Sequence, residues 1–475
     1  MISYRKIFYV MGLIFLVLAA AMIIPAMVDL CFEQNTSFSF LISAMFCCFL
    51  GGLLFFSNQS GENIILNLNE KVCTVLFSWI SVPVLASLPL IVSAQEISLV
   101  DCFFEMTSAL TTSGATTILD IKSFSEGVLL WRSLLQLIGG IGFIISCLCV
   151  FSNFLIPISF EHNNYSRNLS PLNLIKIISA TYFIVATIGS FILIGSGVSP
   201  IESISYSLDA ISSGGALISD VNYSAASPQI LWTLSLLMFI SGVSVTFIKN
   251  LNSNGFSAFL DQQFICYTSI VILGTAIFSI YIMSSSDATL WDSIQMALLT
   301  TTSSITTTGV SLRLSESFSP SIDAFLYVLN FCGGCSGSCT GGVKIFRWMI
   351  TFLLLKSYLI RLVKVNAICV PTYAGRRLNE MDVTGLFSYF FCYIVFAVLA
   401  SFALTFSDFD FGKAFNAVVT TINNNGPFFG LHKATVAEIA ELSPFTKIIL
   451  IISMIAGRIE FISFLMVLMK SFWKK

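Results

Sequence analysis

Long apolar runs alternate with short polar, glycine-centred runs along this chain, and the alternation predicts its architecture. Uninterrupted apolar stretches at residues 7–28, 38–56, 72–94, 127–156, 177–195, 229–248, 264–283, 383–404 and 445–469 read as spanning helices. Each has roughly the 20 residues that a hydrocarbon core requires. A tenth stretch, residues 324–359, is long and interrupted by glycines. Between alternate pairs of spans lies a polar run: Thr111-Thr112-Ser113-Gly114, Ser212-Ser213-Gly214-Gly215, Thr306-Thr307-Thr308-Gly309 and Asn423-Asn424-Asn425-Gly426. Irregular backbone at membrane depth is tolerated only where it is buried in protein or lines a watery cavity, so such runs point to a pathway.

A shorter segment leads into each run, and each has the same start signal. Ser98 precedes Asp101, Ser199 precedes Glu202, Thr289 precedes Asp292 and Ser407 precedes Asp410, always by three residues. That pairing satisfies free amides at a helix N-terminus, and Pro200 holds the favoured first helical position. From these caps to the glycines the segments run 16, 16, 20 and 19 residues, and the glycines fall 101, 94 and 117 residues apart. Internal repetition fixes architecture better than any local signal. The unit is helix, half-helix, glycine run, helix, and it occurs four times with an even number of spans. All four copies therefore have one orientation and can surround one axis, unlike an inverted repeat. The expected fold is an all-α polytopic membrane protein. Residues 1–68 form an added helix pair, and 69–160, 161–255, 256–380 and 381–475 are the four repeats, the third with a broken second helix.

Composition agrees: 56% of the 475 residues are hydrophobic and 10% charged, against roughly 25% charged in soluble domains. The first stretch is too long for a signal-peptide core and lacks a convincing cleavage site, so it is read as a retained helix. The net charge of −2 hides an asymmetry, with 16 Lys and Arg on the side of the N-terminus and 5 on the other. By the positive-inside rule both termini are cytoplasmic and the glycine runs enter from outside. Nothing in this balance points to nucleic acid. The 13 cysteines are scattered through apolar segments and imply no disulfide framework. Cys332, Cys335 and Cys339 have ligand-like spacing but lie among glycines, where close packing is the simpler reading. The two histidines, His162 and His432, fall on opposite sides of the membrane, and no acid pair resembles an intramembrane catalytic dyad. The chain is not read as an enzyme.

A half-helix entering from outside points its partially negative C-terminus at the membrane centre, which favours a cation there. An extended Thr-Thr-Ser-Gly backbone beyond it can turn carbonyls to the axis and replace an ion's water shell. The plainer reading is a re-entrant loop or small-residue packing. Four runs in register favour the ion pathway. Three further features bear on it. The glycines from Gly333 to Gly342 cost roughly 1 kcal/mol each in a helix, so that segment reads as unwound. It is no phosphate loop, because Lys344 lacks a following Ser or Thr and no strand precedes it. Arg458 lies past the midplane of its span and Arg132 near the outer end of another. An intramembrane charge is functional by default, although Arg132 also fits snorkelling or a pair with Glu105.

These residues resemble the ion-conducting subunit of the bacterial Trk/Ktr potassium-uptake systems, related to fungal Trk and plant HKT transporters. The likeness covers essentially the whole chain and is greatest over residues 99–142, 333–347 and 423–473. It implies a four-part selectivity filter centred on Gly114, Gly215, Gly309 and Gly426, with Thr111, Thr112, Ser113, Ser213, Gly214, Thr307, Thr308, Asn424 and Asn425 beside them. Potassium would bind there, with no transition metal and no cofactor. Glycine at the first position resembles the potassium-selective members, where serine would imply sodium. The likeness also implies an intramembrane gating loop with Gly334, Cys335, Gly337, Ser338, Gly341, Gly342 and Lys344, and a pore-facing Arg458. It further implies a multi-pass homodimer in the bacterial inner membrane. A cytosolic nucleotide-binding ring would dock on a basic surface including Lys344, Arg347, Arg361 and Lys364. The alternative is proton- or sodium-coupled symport, or a less selective potassium and sodium transporter. One departure stands out: Ala115, Ala216, Val310 and Pro427 follow the glycines, where later repeats of related filters often have an aromatic residue. Selectivity would then be looser.

Overall fold

The computed structural model describes residues 2–59, 65–93, 97–119, 124–150, 171–215, 227–285, 288–310, 319–364, 370–373, 376–407, 409–429, 432–459, 466–467 and 469–473. Its first two helices, α1 (Tyr4–Cys31) and α2 (Thr36–Asn58), pack on each other through glycine. A Cβ on Gly12 would lie 2.8 Å from the Gly51 carbonyl oxygen, the close backbone approach by which apolar helices associate in lipid. Repeat 1 follows as α3 (Leu68–Ala86), α4 (Leu88–Val92), the short helix α5 (Leu99–Leu110) and α6 (Glu126–Val150). Repeat 2 is α7 (Pro171–Gly195), α8 (Pro200–Ser212), α9 (Pro228–Ser241) and α10 (Val245–Asn254). Repeat 3 is α11 (Gln262–Ser285), α12 (Leu290–Ile305), α13 (Pro320–Cys332) and α14 (Ile345–Val363). Repeat 4 is α15 (Glu380–Thr405), α16 (Phe411–Ile422), α17 (Val436–Ala440) and α18 (Pro444–Ile459), with α19 (Lys470–Trp473) near the end. Two short antiparallel ribbons pair Thr372–Tyr373 with Arg376–Arg377 and Phe428–Phe429 with His432–Lys433.

Among the described residues, seven helices are long and apolar enough to cross a membrane. They include the first helix of every repeat, but of the second helices only α6. In repeat 3 the expected break lies between Cys332 and Ile345. In repeat 2 the expected continuous span over 229–248 is instead interrupted at Gly242-Val243-Ser244. Both breaks meet in space: Cys335 N donates to Gly242 O at 3.0 Å and Val245 N to Gly337 O at 3.3 Å. Backbone groups freed by one interruption are thus satisfied by the other, as burial in a bilayer requires. The expected helix over 72–94 ends at Ala86 and resumes at Leu88.

Three of the four start signals hold in the structure. Ser98, Ser199 and Thr289 accept hydrogen bonds from the amides of Asp101, Glu202 and Asp292. The fourth does not. The cap of α16 is Asp410, whose carboxylate accepts from Gly412 N at 3.2 Å, and Ser407 belongs to the turn after α15. Asp and Ser are comparable caps, so local sequence did not separate them. The corrected cap to Gly426 is again 16 residues, leaving only α12 a turn longer.

The added helix pair is tied to repeat 1 by Asp29, fully buried at the end of α1. Its carboxylate accepts from Thr36 Oγ1 at 2.5 Å, Ser125 Oγ at 3.0 Å and Gly127 N at 2.7 Å, and so satisfies one of the free amides at the start of α6.

Candidate functional site

All four short helices end in the same backbone motif. Thr112, Ser213, Thr307 and Asn424 have φ of 57°, 59°, 57° and 55°, and the glycines two residues on have φ of 68°, 62°, 76° and 76°. Between them Ser113, Gly214, Thr308 and Asn425 donate their amides back to the carbonyls of Ser108, Asp209, Ser303 and Thr420 at 2.9, 2.9, 2.9 and 3.1 Å. This is the helix-terminating pattern in which the first left-handed position is usually glycine. Here that position carries Thr, Ser, Thr and Asn, so the runs are not extended throughout, as the sequence suggested. Left-handed backbone costs a non-glycine residue on the order of 1–3 kcal/mol and persists where its surroundings dictate it.

Those surroundings are explicit. Leu110 O and Ile422 O, at equivalent places in repeats 1 and 4, lie where a Cβ on Gly139 or Gly457 would be, at 1.7 and 1.9 Å. Ser108 Oγ donates to Ala115 O at 2.6 Å and Ser303 Oγ to Val310 O at 2.8 Å. Behind the first run, Glu105 Oε1 accepts from Thr116 Oγ1 at 2.8 Å and Thr117 N at 2.6 Å, while Glu105 Oε2 pairs with Arg132 Nη2 at 3.1 Å. Both charged groups are buried. Of the two structural readings of Arg132, the pair with Glu105 is the one present.

The runs touch each other. Gly426 N donates to Ser113 Oγ at 3.2 Å, joining the fourth to the first. A Cβ on Gly215 would fall 1.9 Å from Thr308 O, so the second abuts the third. Tyr393 Oη donates to Asn423 Oδ1 at 3.0 Å and orients the start of the fourth.

Against this cluster lies the interrupted segment from Gly333 to Lys344. Gly341 N donates to Thr307 Oγ1 at 2.7 Å, and a Cβ on Gly341 would meet Asn423 O at 1.8 Å. Cys339 O accepts from Arg458 Nη1 at 2.8 Å and from Ser213 Oγ at 3.3 Å. Lys344 Nζ folds back within the segment onto Thr340 O, Thr340 Oγ1 at 2.9 Å and Ser338 O at 3.3 Å. Phe143 of α6 lies under both cations, with Arg458 Cζ 4.5 Å and Lys344 Nζ 5.4 Å from its ring centre. One segment thereby contacts runs 2, 3 and 4.

The structure corrects the expected basic surface. Lys344 and Arg347 are 5% and 7% exposed; Arg347 donates to Val343 O at 3.1 Å and stacks over Tyr389. Only Arg361 and Lys364 of that set are exposed. Gly334, Cys335, Gly337, Ser338 and Gly342 lie in the segment, and Cys335 Sγ points to Gln263 O at 3.8 Å. Among the described residues no group of three His, Cys, Asp or Glu could hold a metal ion. His162 lies outside the described residues. Sequence reading left Cys339 and Thr340 out of the expected gating set, because both act mainly through backbone carbonyls that every residue type possesses. Asp29 was missed as well, although a lone acid at the end of an apolar span is a legible signal.

A family model named TrkH and described as a cation transport protein matches residues 36–171 and 262–475. The Trk system potassium uptake protein TrkI of Halomonas elongata is 27% identical over 484 residues, covering 99% of this chain and 97% of that protein. The Trk system potassium uptake protein TrkH of Escherichia coli is 26% identical over 494 residues, covering 99% and 100%. The crystal structure of the potassium transporter TrkH from Vibrio parahaemolyticus matches with a TM-score of 0.89 at 26% identity, over 99% of this chain and 100% of that one.

Proposed function

This chain belongs to the TrkH family of cation transport proteins, and from that premise we propose that it conducts potassium into the cell through the centre of its four repeats. It is a transport protein rather than an enzyme. The observation that carries the reading is the fourfold recurrence of one strained backbone motif, at four helix C-termini of which the fourth touches the first and the second the third. Potassium enters as the ion because the related proteins from Halomonas elongata, Escherichia coli and Vibrio parahaemolyticus are named for its uptake.

In this reading Gly114, Gly215, Gly309 and Gly426, with Thr111, Thr112, Ser113, Ser213, Gly214, Thr307, Thr308, Asn424 and Asn425, form the filter. Their carbonyls replace the ion's hydration shell, and the helix termini add negative potential. The segment from Gly333 to Lys344 is the gate. Its glycines permit the unwound path, and its contacts with three of the four runs support a position across the conduction route. Arg458 holds the gate through Cys339 O, so its role is that of a latch with a positive charge. Conduction requires no covalent chemistry and no cofactor. The remaining exposed basic residues, Arg361 and Lys364, belong to the surface where a cytosolic nucleotide-binding ring would act on a homodimer in the bacterial inner membrane.

Reconstituted protein tests this reading. Liposomes containing the purified chain are expected to take up potassium or rubidium along the potassium gradient alone. Gly114→Ser should shift the ratio of potassium to sodium flux, and an unchanged ratio would remove the filter assignment. A flux that instead follows an imposed proton or sodium gradient would move the protein to coupled symport.

A further inference from the structure

Away from the filter, a cavity of ≈ 540 Å³ opens between α1, α3 and α6. Its walls are almost wholly apolar side chains, among them Leu13 and Val17 of α1, Val75 and Trp79 of α3, and Ile138 and Ile145 of α6. Its size falls within the range of built ligand pockets. Two features distinguish it from an ordinary groove between helices. At its deep end it reaches Leu110 and Gly139, the pair whose close approach fixes the end of the first short helix beside the filter. At its other end the lining includes Lys71 and Leu66. Lys6 joins that rim: its Nζ donates to the carbonyl of Ile65 at 2.9 Å, beside Leu66, and Lys6 is one helical turn before the lining residue Val10. Neither lysine is in an ion pair with an acid among the described residues. The nearest acid in sequence, Glu70, is committed to the amides of Ser3 and Asn67, each at 2.9 Å.

A long apolar slot with cationic groups at one mouth has the chemistry of one lipid. We infer that the cavity is a binding site for an anionic phospholipid of the cytoplasmic leaflet, with an acyl chain in the slot and the phosphate at Lys71 and Lys6. The acyl chain is held in the slot by close packing against its apolar walls, and basic pockets between spanning helices on the cytoplasmic side select acidic headgroups. Zwitterionic lipid can offer the same chain but a weaker partner for the two lysines. The chain end would press on the Gly139 side of α6, so the bound lipid supports the turn that carries Thr112 and Gly114. This inference concerns a lipid and does not depend on which ion the protein carries.

Trp79 supplies the readout, since it lines the cavity and is 4% exposed. The full chain is reconstituted in nanodiscs of phosphatidylcholine, and phosphatidylglycerol brominated on its acyl chains is titrated in, with brominated phosphatidylcholine as the reference. The quenching difference between wild type and Trp79→Phe isolates the signal of Trp79. Brominated phosphatidylglycerol is expected to quench that signal at lower mole fraction, with each lysine contributing about fivefold, and Lys6→Gln/Lys71→Gln should abolish the difference between the two lipids. Gly142→Leu provides an independent block. Gly142 lines the slot and a Cβ there meets nothing within 4 Å, so the larger side chain enters the cavity without displacing the helix. It should remove quenching of Trp79 by both lipids. Equal quenching by the two lipids in the wild type, or a preference that survives Lys6→Gln/Lys71→Gln or Gly142→Leu, overturns the site.

Discussion

Arg132 and Glu105 show what one pair of residues does here. The carboxylate is shared between the guanidinium at 3.1 Å and the backbone of Thr117 at 2.6 Å, so it ties α6 to the chain leaving the first glycine run. Removing one partner leaves the other as a buried uncompensated charge, which costs roughly 3–5 kcal/mol. Glu105→Gln and Arg132→Gln should each lower the melting temperature in detergent. The double variant should lose much less than the two losses together, and additive losses would show that the pair is not coupled. Arg458 works differently, because its hydrogen bond at 2.8 Å is to a carbonyl in the interrupted segment. Arg458→Gln should raise potassium flux by freeing that segment, and Arg458→Lys should raise it less. A flux that falls in both variants would count against a latch.

At the scale of elements, the four short helices test how far local chemistry dictates structure. Asp410, not Ser407, caps α16. Asp410→Ala is therefore expected to cost about 1 kcal/mol and Ser407→Ala close to nothing, as read by thermal unfolding of the purified protein; the reverse order would return the helix start to Ser407. The interrupted helices are coupled elements, since the breaks at Gly242 and Cys335 share hydrogen bonds. Shortening the segment within residues 337–341 should raise flux severalfold in liposomes, because it removes the contacts with Thr307, Ser213 and Asn423 together. No change there would mean that the conduction route lies elsewhere.

For the whole molecule, the decisive expectation is that all four repeats face the same way. Charge distribution assigns the side with more Lys and Arg to the cytoplasm. The assignment puts exposed Lys413 of α16 outside and exposed Lys356 of α14 inside. In a chain depleted of native cysteines, an impermeant thiol reagent added to intact cells should label Lys413→Cys and not Lys356→Cys. The opposite pattern would invert the direction in which the glycine runs enter.

The sequence by itself determined the membrane class, the helical architecture, three of the four helix caps and the position of each glycine run. Those properties depend on hydrophobic length, on capping chemistry and on recurrence, all of which are local or periodic and survive being read in one dimension. Only the tertiary structure decided that Thr112, Ser213, Thr307 and Asn424 adopt left-handed backbone, that Glu105 and not solvent receives Arg132, and that Cys339 O joins Ser213 to Arg458. It also broke the second helix of repeat 2 at Gly242 and buried Lys344 and Arg347, which a linear count places on a basic surface. The physical reason is the same in each case. A strained turn, a backbone acceptor or a buried cation is stable only through partners distant in sequence, and no property of the residue itself announces which partner the fold will bring.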